Sequence, residues 1–240
     1  GIVLSHGYRA SPGEIRALAE YLNKKGHTVY GVRLKGHGTV PREIGSVKWE
    51  EWYDAYNRGV SIIANSCEKV VLAGFSTGGL LSLLAAARKR EKVHGVVVIN
   101  AALRLADIKA RFVPAVTFWN DLLTNLGISG GKKEYVDSPP EFPDTNYTRN
   151  YLAGVLELEK LMKECEKSLP KIKAPAMIIQ GKNDPTVVPK SATIIHDKII
   201  SANKKLVELP FERHVIVRGP GKEQVFETVG AFIDELGLSA

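Results

Sequence analysis

The sequence predicts an α/β fold, a mostly parallel sheet flanked by helices, with a helical insertion near its middle. Three observations carry that expectation. Apolar, β-branched runs alternate with stretches of helical periodicity from residue 2 to residue 99, and the same rhythm returns from residue 176. The run 93–99 is continuous in apolar character, as a strand covered on both faces must be. Between about residues 103 and 170 the rhythm lapses. Strands alternating with helices in this way form right-handed βαβ units on a parallel sheet. Residues 1–102 and 171–240 are therefore expected to make one core, and residues 103–170 a lid upon it.

Each element has a local reason. Residues 2–4 read as a short buried strand, with Ser5-His6-Gly7-Tyr8-Arg9-Ala10 as its loop. Ser11 stands where a helix cap belongs, with Pro12 in the first turn and Glu14 spaced to close a capping box. Ile15, Leu18, Ala19 and Leu22 give that helix one apolar face, and Gly26 ends it. Residues 28–32 form the next strand, and Arg33-Leu34-Lys35-Gly36-His37-Gly38 its loop. From residue 48 to 66, Trp49, Trp52, Tyr53, Tyr56, Val60 and Ile63 recur at helical spacing, an aromatic stripe that belongs in a core. A β-branched run then enters Gly74-Phe75-Ser76-Thr77-Gly78 and leaves it as a helix rich in Leu and Ala, residues 80–90.

The insertion carries an aromatic and aliphatic patch that includes Phe112, Val113, Val116, Phe118, Trp119, Leu122, Leu123, Leu126 and Ile128. A Gly-Gly tract, the Pro-rich residues 138–143 and a helix over 147–168 follow, with no clear strand. Because the insertion comes after the strand that follows the Ser76 helix, it leaves the sheet at the same edge as Ser76 and is placed to cover it. The core resumes with a strand at 176–180, a helix at about 189–200, a strand at 206–209 and the loop 210–214. A closing helix carries Val225, Phe226, Val229, Phe232, Ile233 and Leu236 on one face.

Bulk properties narrow the function classes. A chain of 240 residues can bury one large core. Its 33 Lys and Arg against 26 Asp and Glu leave a formal charge of +7. The basic residues are scattered in pairs such as Lys24-Lys25, Lys132-Lys133 and Lys204-Lys205, with no nucleic-acid motif beside them, so the charge reads as solubility and nucleic acid is not an expected partner. Cys67 and Cys165 show neither a metal spacing nor a disulfide framework; reduced, buried thiols and a cytoplasmic location are expected. No membrane segment or signal peptide is expected either. The oligomeric state is not written in the sequence.

The chemistry starts at Gly74-x-Ser76-x-Gly78. A nucleophile on so sharp a strand-to-helix turn sits in a strained backbone conformation, and side chains two residues to either side would collide with the neighbouring strand and helix. A serine hydroxyl also needs a base and an acid, leaving the same sheet edge in the order Ser, acid, His. Of six histidines, His27 and His94 open strands at the opposite edge and His196 lies on a surface helix, so all three are expected in solvent. His6 and His37 come before the serine, which leaves His214. Asp184 follows the strand at 176–180, although an Asp before Pro185 is also a common turn former. The N–H groups of Thr77 and Tyr8 are the expected donors to an oxyanion. His6-Gly7 reads as shaping the loop. No metal cluster or phosphate loop accompanies these residues, and chemistry of this kind needs no cofactor.

Over nearly its whole length the chain resembles an α/β-hydrolase of the bacterial carboxylesterase and monoacylglycerol lipase group. The likeness lies in His6-Gly7-Tyr8, residues 33–39, Trp49 to Trp52, residues 74–79, Ile172-Lys173-Ala174-Pro175, Gly181 to Asp184 with Val188-Pro189, and His214-Val215-Ile216. The resemblance implies a triad of Ser76, Asp184 and His214, an oxyanion hole of Tyr8 and Thr77, and a lid at 103–170 shaping an acyl pocket. The implied reaction is hydrolysis of a small-molecule carboxylic ester of short to medium acyl chain, monoacylglycerols included, through an acyl-enzyme. Thioesterase, acyltransferase or carbon–carbon hydrolase chemistry, or slow ligand sensing, would use the same residues. Three departures stand out. The group usually has a strand pair before the first strand seen here, Thr77 replaces a bulkier apolar residue, and Glu212-Arg213 precede the histidine where small residues are usual, so that Glu212 competes with Asp184 for the imidazole.

Overall fold

A computed structural model describes residues 1–106 and 131–237, together with Val116, Asn120, Leu123 and Asn125. Before the insertion come β1 (Ile2–Ser5), α1 (Arg16–Lys24), β2 (Val29–Val32), α2 (Trp49–Ser66), β3 (Val71–Phe75), α3 (Thr77–Arg88) and β4 (Gly95–Ile99). The insertion holds β5 (Tyr135–Asp137), β6 (Arg149–Tyr151) and α4 (Leu152–Ser168). After it come β7 (Ala176–Gly181), α5 (Lys190–Lys198), β8 (Lys204–Leu209) and α6 (Lys222–Glu235).

Six strands form one parallel sheet in the order β2-β1-β3-β4-β7-β8. The chain runs outward from β1 to β2 and then returns to the other side of β1, so that Leu4 stands between Gly31 and Ala73. Where the winding reverses, the loops after β1 and β3 leave their carboxyl ends in diverging directions and open a crevice. The loop carrying Tyr8 and the turn carrying Ser76 both leave the sheet there.

Alternation along the strands splits the core into two layers. Leu72 of β3 joins Trp52, Tyr56, Leu84 and Leu161 on the face covered by α2, α3 and α4. Val71, Ala73 and Phe75 join Leu18, Leu22, Val225 and Val229 on the face covered by α1 and α6. Leu18 and Leu22 are fully buried, each contributing roughly 2 kcal/mol. At the start of α2, Lys48 N–H donates to Glu51 Oε2 at 3.0 Å, which satisfies one orphan donor of the first turn. Helix α3 is buried from Thr77 to Ala87, so its Leu and Ala content answers packing on several sides.

The capping box expected at Ser11 and Glu14 does not form. Pro12–Glu14 is a 3₁₀ turn closed by Glu14 N–H on Ser11 O at 3.0 Å, Ser11 makes no side-chain cap, and α1 begins at Arg16. The Glu14 carboxyl instead accepts Gly7 N–H at 2.8 Å, because a buried donor without an acceptor costs more than an exposed one. The insertion also contains strands where none was expected. β5 and β6 pair antiparallel, Tyr135 opposite Tyr151, and the helix that follows starts at Leu152 instead of residue 147. Three-residue strands bearing Asp137 and Arg149 are too short to leave a period-two pattern.

Of the apolar patch, Phe112, Val113, Phe118, Trp119, Leu122, Leu126 and Ile128 lie outside the described residues. Val116 packs against Leu152 and Val155. The three histidines expected in solvent are half-buried: His94 Nδ1 accepts Val70 N–H at 3.2 Å and His196 lies beside Asp197. Among the described residues no helix is long and apolar enough to cross a membrane.

Candidate active site

Ser76 is the hinge between β3 and α3, with φ 53° and ψ −115°. Positive φ on a residue with a Cβ is strained and persists only where the surroundings fix it. Here a Cβ added at Gly74 would lie 2.1 Å from the Gly78 carbonyl, and one at Gly78 would lie 2.3 Å from Ser5 O. Only glycine lets β1, β3 and α3 close this far. Ser76 N–H donates to Ile99 O at 2.9 Å, and Gly79 N–H to Ser76 O at 3.0 Å, so the turn is bonded on both sides.

His214 Nε2 lies 3.0 Å from Ser76 Oγ, and His214 Nδ1 lies 2.7 Å from Asp184 Oδ2. The remaining oxygen of Asp184 accepts Thr186 N–H at 2.8 Å and Val187 N–H at 2.9 Å. Asp184 is thus both the turn former before Pro185 and the partner of the imidazole. Glu212, the competitor, is exposed and faces Asn183. Arg213 braces the histidine loop instead, its guanidinium donating to Val215 O at 3.2 Å and Arg218 O at 2.8 Å.

Thr77 follows the serine directly, and Tyr8 lines the same cavity as Ser76. Thr77 N–H opens the first turn of α3, where helix N–H groups lack intrahelical acceptors and the helix dipole favours negative charge. Tyr8 N–H, like that of Thr77, has no acceptor among the described residues. The Gly7–Tyr8 peptide is held through its carbonyl, which accepts His6 Nδ1–H at 2.8 Å and Ala10 N–H at 3.3 Å. Because a trans peptide points its N–H opposite its C=O, fixing one aims the other. His6 Nε2 accepts Leu34 N–H at 3.3 Å, which requires the proton on Nδ1. Burial, opposed by the bond to Gly7 O, pushes the His6 pKa down to about 4, so the ring stays neutral.

A cavity of about 690 Å³ stands over Ser76 and His214. Ala102, Leu105, Leu152, Val155 and Leu158 make an apolar wall, while Arg9, Lys133, Asp137, Asn146 and Asn150 supply polar groups. Much of this lining comes from the insertion. No group of three His, Cys, Asp or Glu among the described residues is arranged to hold a metal ion.

The family described as serine aminopeptidase, S33 (Hydrolase_4) matches residues 1–220. The chain belongs to this family. The thermostable monoacylglycerol lipase of Bacillus sp. (strain H-257) is 31% identical to this S33 chain over 223 residues, covering 90% of the chain and 82% of the lipase. A carboxylesterase of Bacillus subtilis (strain 168) is 21% identical, covering 98% of the chain and 92% of that protein. Among solved structures, one from a description of two metagenome-derived lipolytic enzymes, LipS and LipT, superposes with a TM-score of 0.85 at 28% identity, covering 98% of the chain and 93% of that structure.

The structure brings together all five residues singled out in the sequence, and adds others to them. Asn100, with φ 45°, donates through Nδ2 to His214 O and accepts Gly181 N–H on Oδ1, both at 2.7 Å, tying the histidine loop to the end of β7. Glu141 Oε1 accepts His214 N–H at 3.1 Å, and the Phe75 ring lies 4.9 Å from that of His214. The one signal available for Asn100 is a polar residue ending an apolar strand. Glu141 and Phe75 leave none, because their partners lie 73 and 139 residues away along the chain.

Proposed function

We propose that this S33 chain hydrolyses carboxylic esters of short to medium acyl chain, monoacylglycerols among them, through an acyl-enzyme on Ser76. The observation that carries the reading is the 3.0 Å separation of His214 Nε2 and Ser76 Oγ on the lining of a cavity with one aliphatic wall. His214 takes the hydroxyl proton through Nε2 as Oγ attacks the acyl carbonyl, while Asp184 holds Nδ1–H and steadies the imidazolium. Charge building on the carbonyl oxygen meets the N–H groups of Tyr8 and Thr77. The imidazolium returns its proton to the departing alkoxide, and a water activated by the same ring cleaves the acyl ester.

No cofactor enters these steps. Leu105, Leu152, Val155 and Leu158 suit an acyl chain, and the polar side of the cavity suits the alcohol. The relatives' names, a monoacylglycerol lipase and a carboxylesterase, agree with this choice within the family. In the same reading residues 103–170 act as a cap, and a cytoplasmic setting goes with the free thiols of Cys67 and Cys165. p-Nitrophenyl esters from acetate to laurate test the acyl pocket. Turnover is expected to peak within the series, with aminoacyl p-nitroanilides left intact and Ser76→Ala blocking labelling by a fluorophosphonate. A response that does not change with chain length would sink the acyl assignment.

A further inference from the structure

Glu14 is a buried acid that the reaction above leaves without a task. It is 2% exposed and lines the cavity with Ser76. Its Oε2 accepts Gly7 N–H at 2.8 Å and its Oε1 accepts Asn146 Nδ2–H at 3.3 Å. Gly7 rests directly on the nucleophile turn, since a Cβ added there would lie 3.2 Å from both Glu14 Oε2 and the Cβ of Ser76. Two successive peptide units are therefore each held by a hydrogen bond. The unit joining His6 to Gly7 is held through its N–H by Glu14, and the unit joining Gly7 to Tyr8 through its carbonyl by His6 and Ala10. Between them lies a glycine, the residue with the widest backbone freedom. With one unit loose, the other is free to swing about that glycine. Asn146, which also reaches Phe142 O and Thr145 Oγ1, fixes the far side of the carboxyl from the insertion.

We propose that Glu14, seated by Asn146, is a positioning residue that locks the Gly7–Tyr8 peptide so that Tyr8 N–H meets the oxyanion. What matters is an acceptor at the right reach. A carboxylate charge beside a developing oxyanion contributes nothing favourable, and a neutral amide oxygen of the same length does the same work.

The proposal rests on the ester-hydrolase reading, and its test separates the two. In Glu14→Ala and Glu14→Asp, which lose the acceptor or its reach, kcat is expected to fall roughly ten- to hundredfold, below the cost of deleting a whole donor, with KM changed by less than about twofold. Affinity for an alkyl boronic acid, whose anionic adduct places an oxygen between the two donors, is expected to fall in parallel. Glu14→Gln is expected to restore both. Complete end-point labelling of Ser76 by a fluorophosphonate confirms that each variant is folded, and its labelling rate reports the donor pair even if no ester is turned over. Asn146→Ala, a milder change, is expected to shift the same readouts in the same direction. The proposal is overturned if Glu14→Ala keeps kcat and labelling rate within about twofold of the parent. It is equally overturned if the loss appears in KM with boronate affinity unchanged, or if Glu14→Asp retains activity while Glu14→Gln does not.

Discussion

Asp184 carries two duties on two oxygens, and the division explains why one residue satisfies both readings of an Asp before a proline. Oδ1 closes the turn onto Thr186 and Val187 N–H, and Oδ2 is left to the imidazole at 2.7 Å. Glu212 is near in sequence but exposed, and so cannot orient a buried ring. Asp184→Asn is therefore expected to lower kcat by about 10³ to 10⁴, because an amide nitrogen facing Nδ1 favours the wrong tautomer, while Glu212→Gln leaves kcat within about twofold. Steady-state kinetics of the pair on one chromogenic ester decides it, and the reverse pattern would transfer the acid role to Glu212. That Ser76, Asp184 and His214 would come together was legible from residue type, chain order and strand ends. Glu14 was legible only as a helix cap, because spacing records which partners are possible and not which backbone donor is buried.

Elements hold the site by their ends, and Asn100 is where three of them meet. It follows β4, donates to the histidine loop, accepts from Gly181 at the end of β7, and sends its own N–H to Ile179 O at 2.8 Å. Its positive φ persists because these bonds fix it. Asn100→Ala strands the Gly181 N–H and the His214 carbonyl in a buried setting. The expected cost is about 2–4 kcal/mol of stability, read as a lower urea midpoint, together with a fall in kcat larger than any change in KM as the imidazole loses its register with Ser76. Unchanged kinetics would mean that the histidine loop is held by Glu141 and Arg213 alone. The sheet elements were readable because their period-two and continuous apolar patterns come from burial on a known face. β5 and β6 were not, since three residues are too few to show a period.

Across the molecule, two buried histidines tie stability to pH. Burial pushes His6 down to about 4 and His37 down to about 3, with His6 adding to the depression of His37 and the carbonyl of Lys35 opposing it. In the unfolded chain both titrate near 6.5, so between 6.5 and these values the unfolded state binds more protons and stability falls as pH falls. The slope is at most about 1.4 kcal/mol per pH unit for each ring. Glu14 acts in the opposite sense: burial raises its pKa, so the cost of its charge is relieved in acid. The urea midpoint is expected to drop between about pH 7 and pH 5, and His37→Gln to drop less. A midpoint that is flat over that interval would show that the rings do not stay neutral in the native state.

What the sequence by itself determined is the alternation of strands and helices, the glycine-flanked turn at Ser76 and the order in which serine, acid and histidine leave the sheet, because each is written in residues close together along the chain. Only the tertiary structure decided which backbone groups Glu14, Asn100 and Glu141 hold around Ser76 and His214. Their partners are backbone atoms of distant segments, and which of those atoms is buried and in want of a bond is settled when the strands pack.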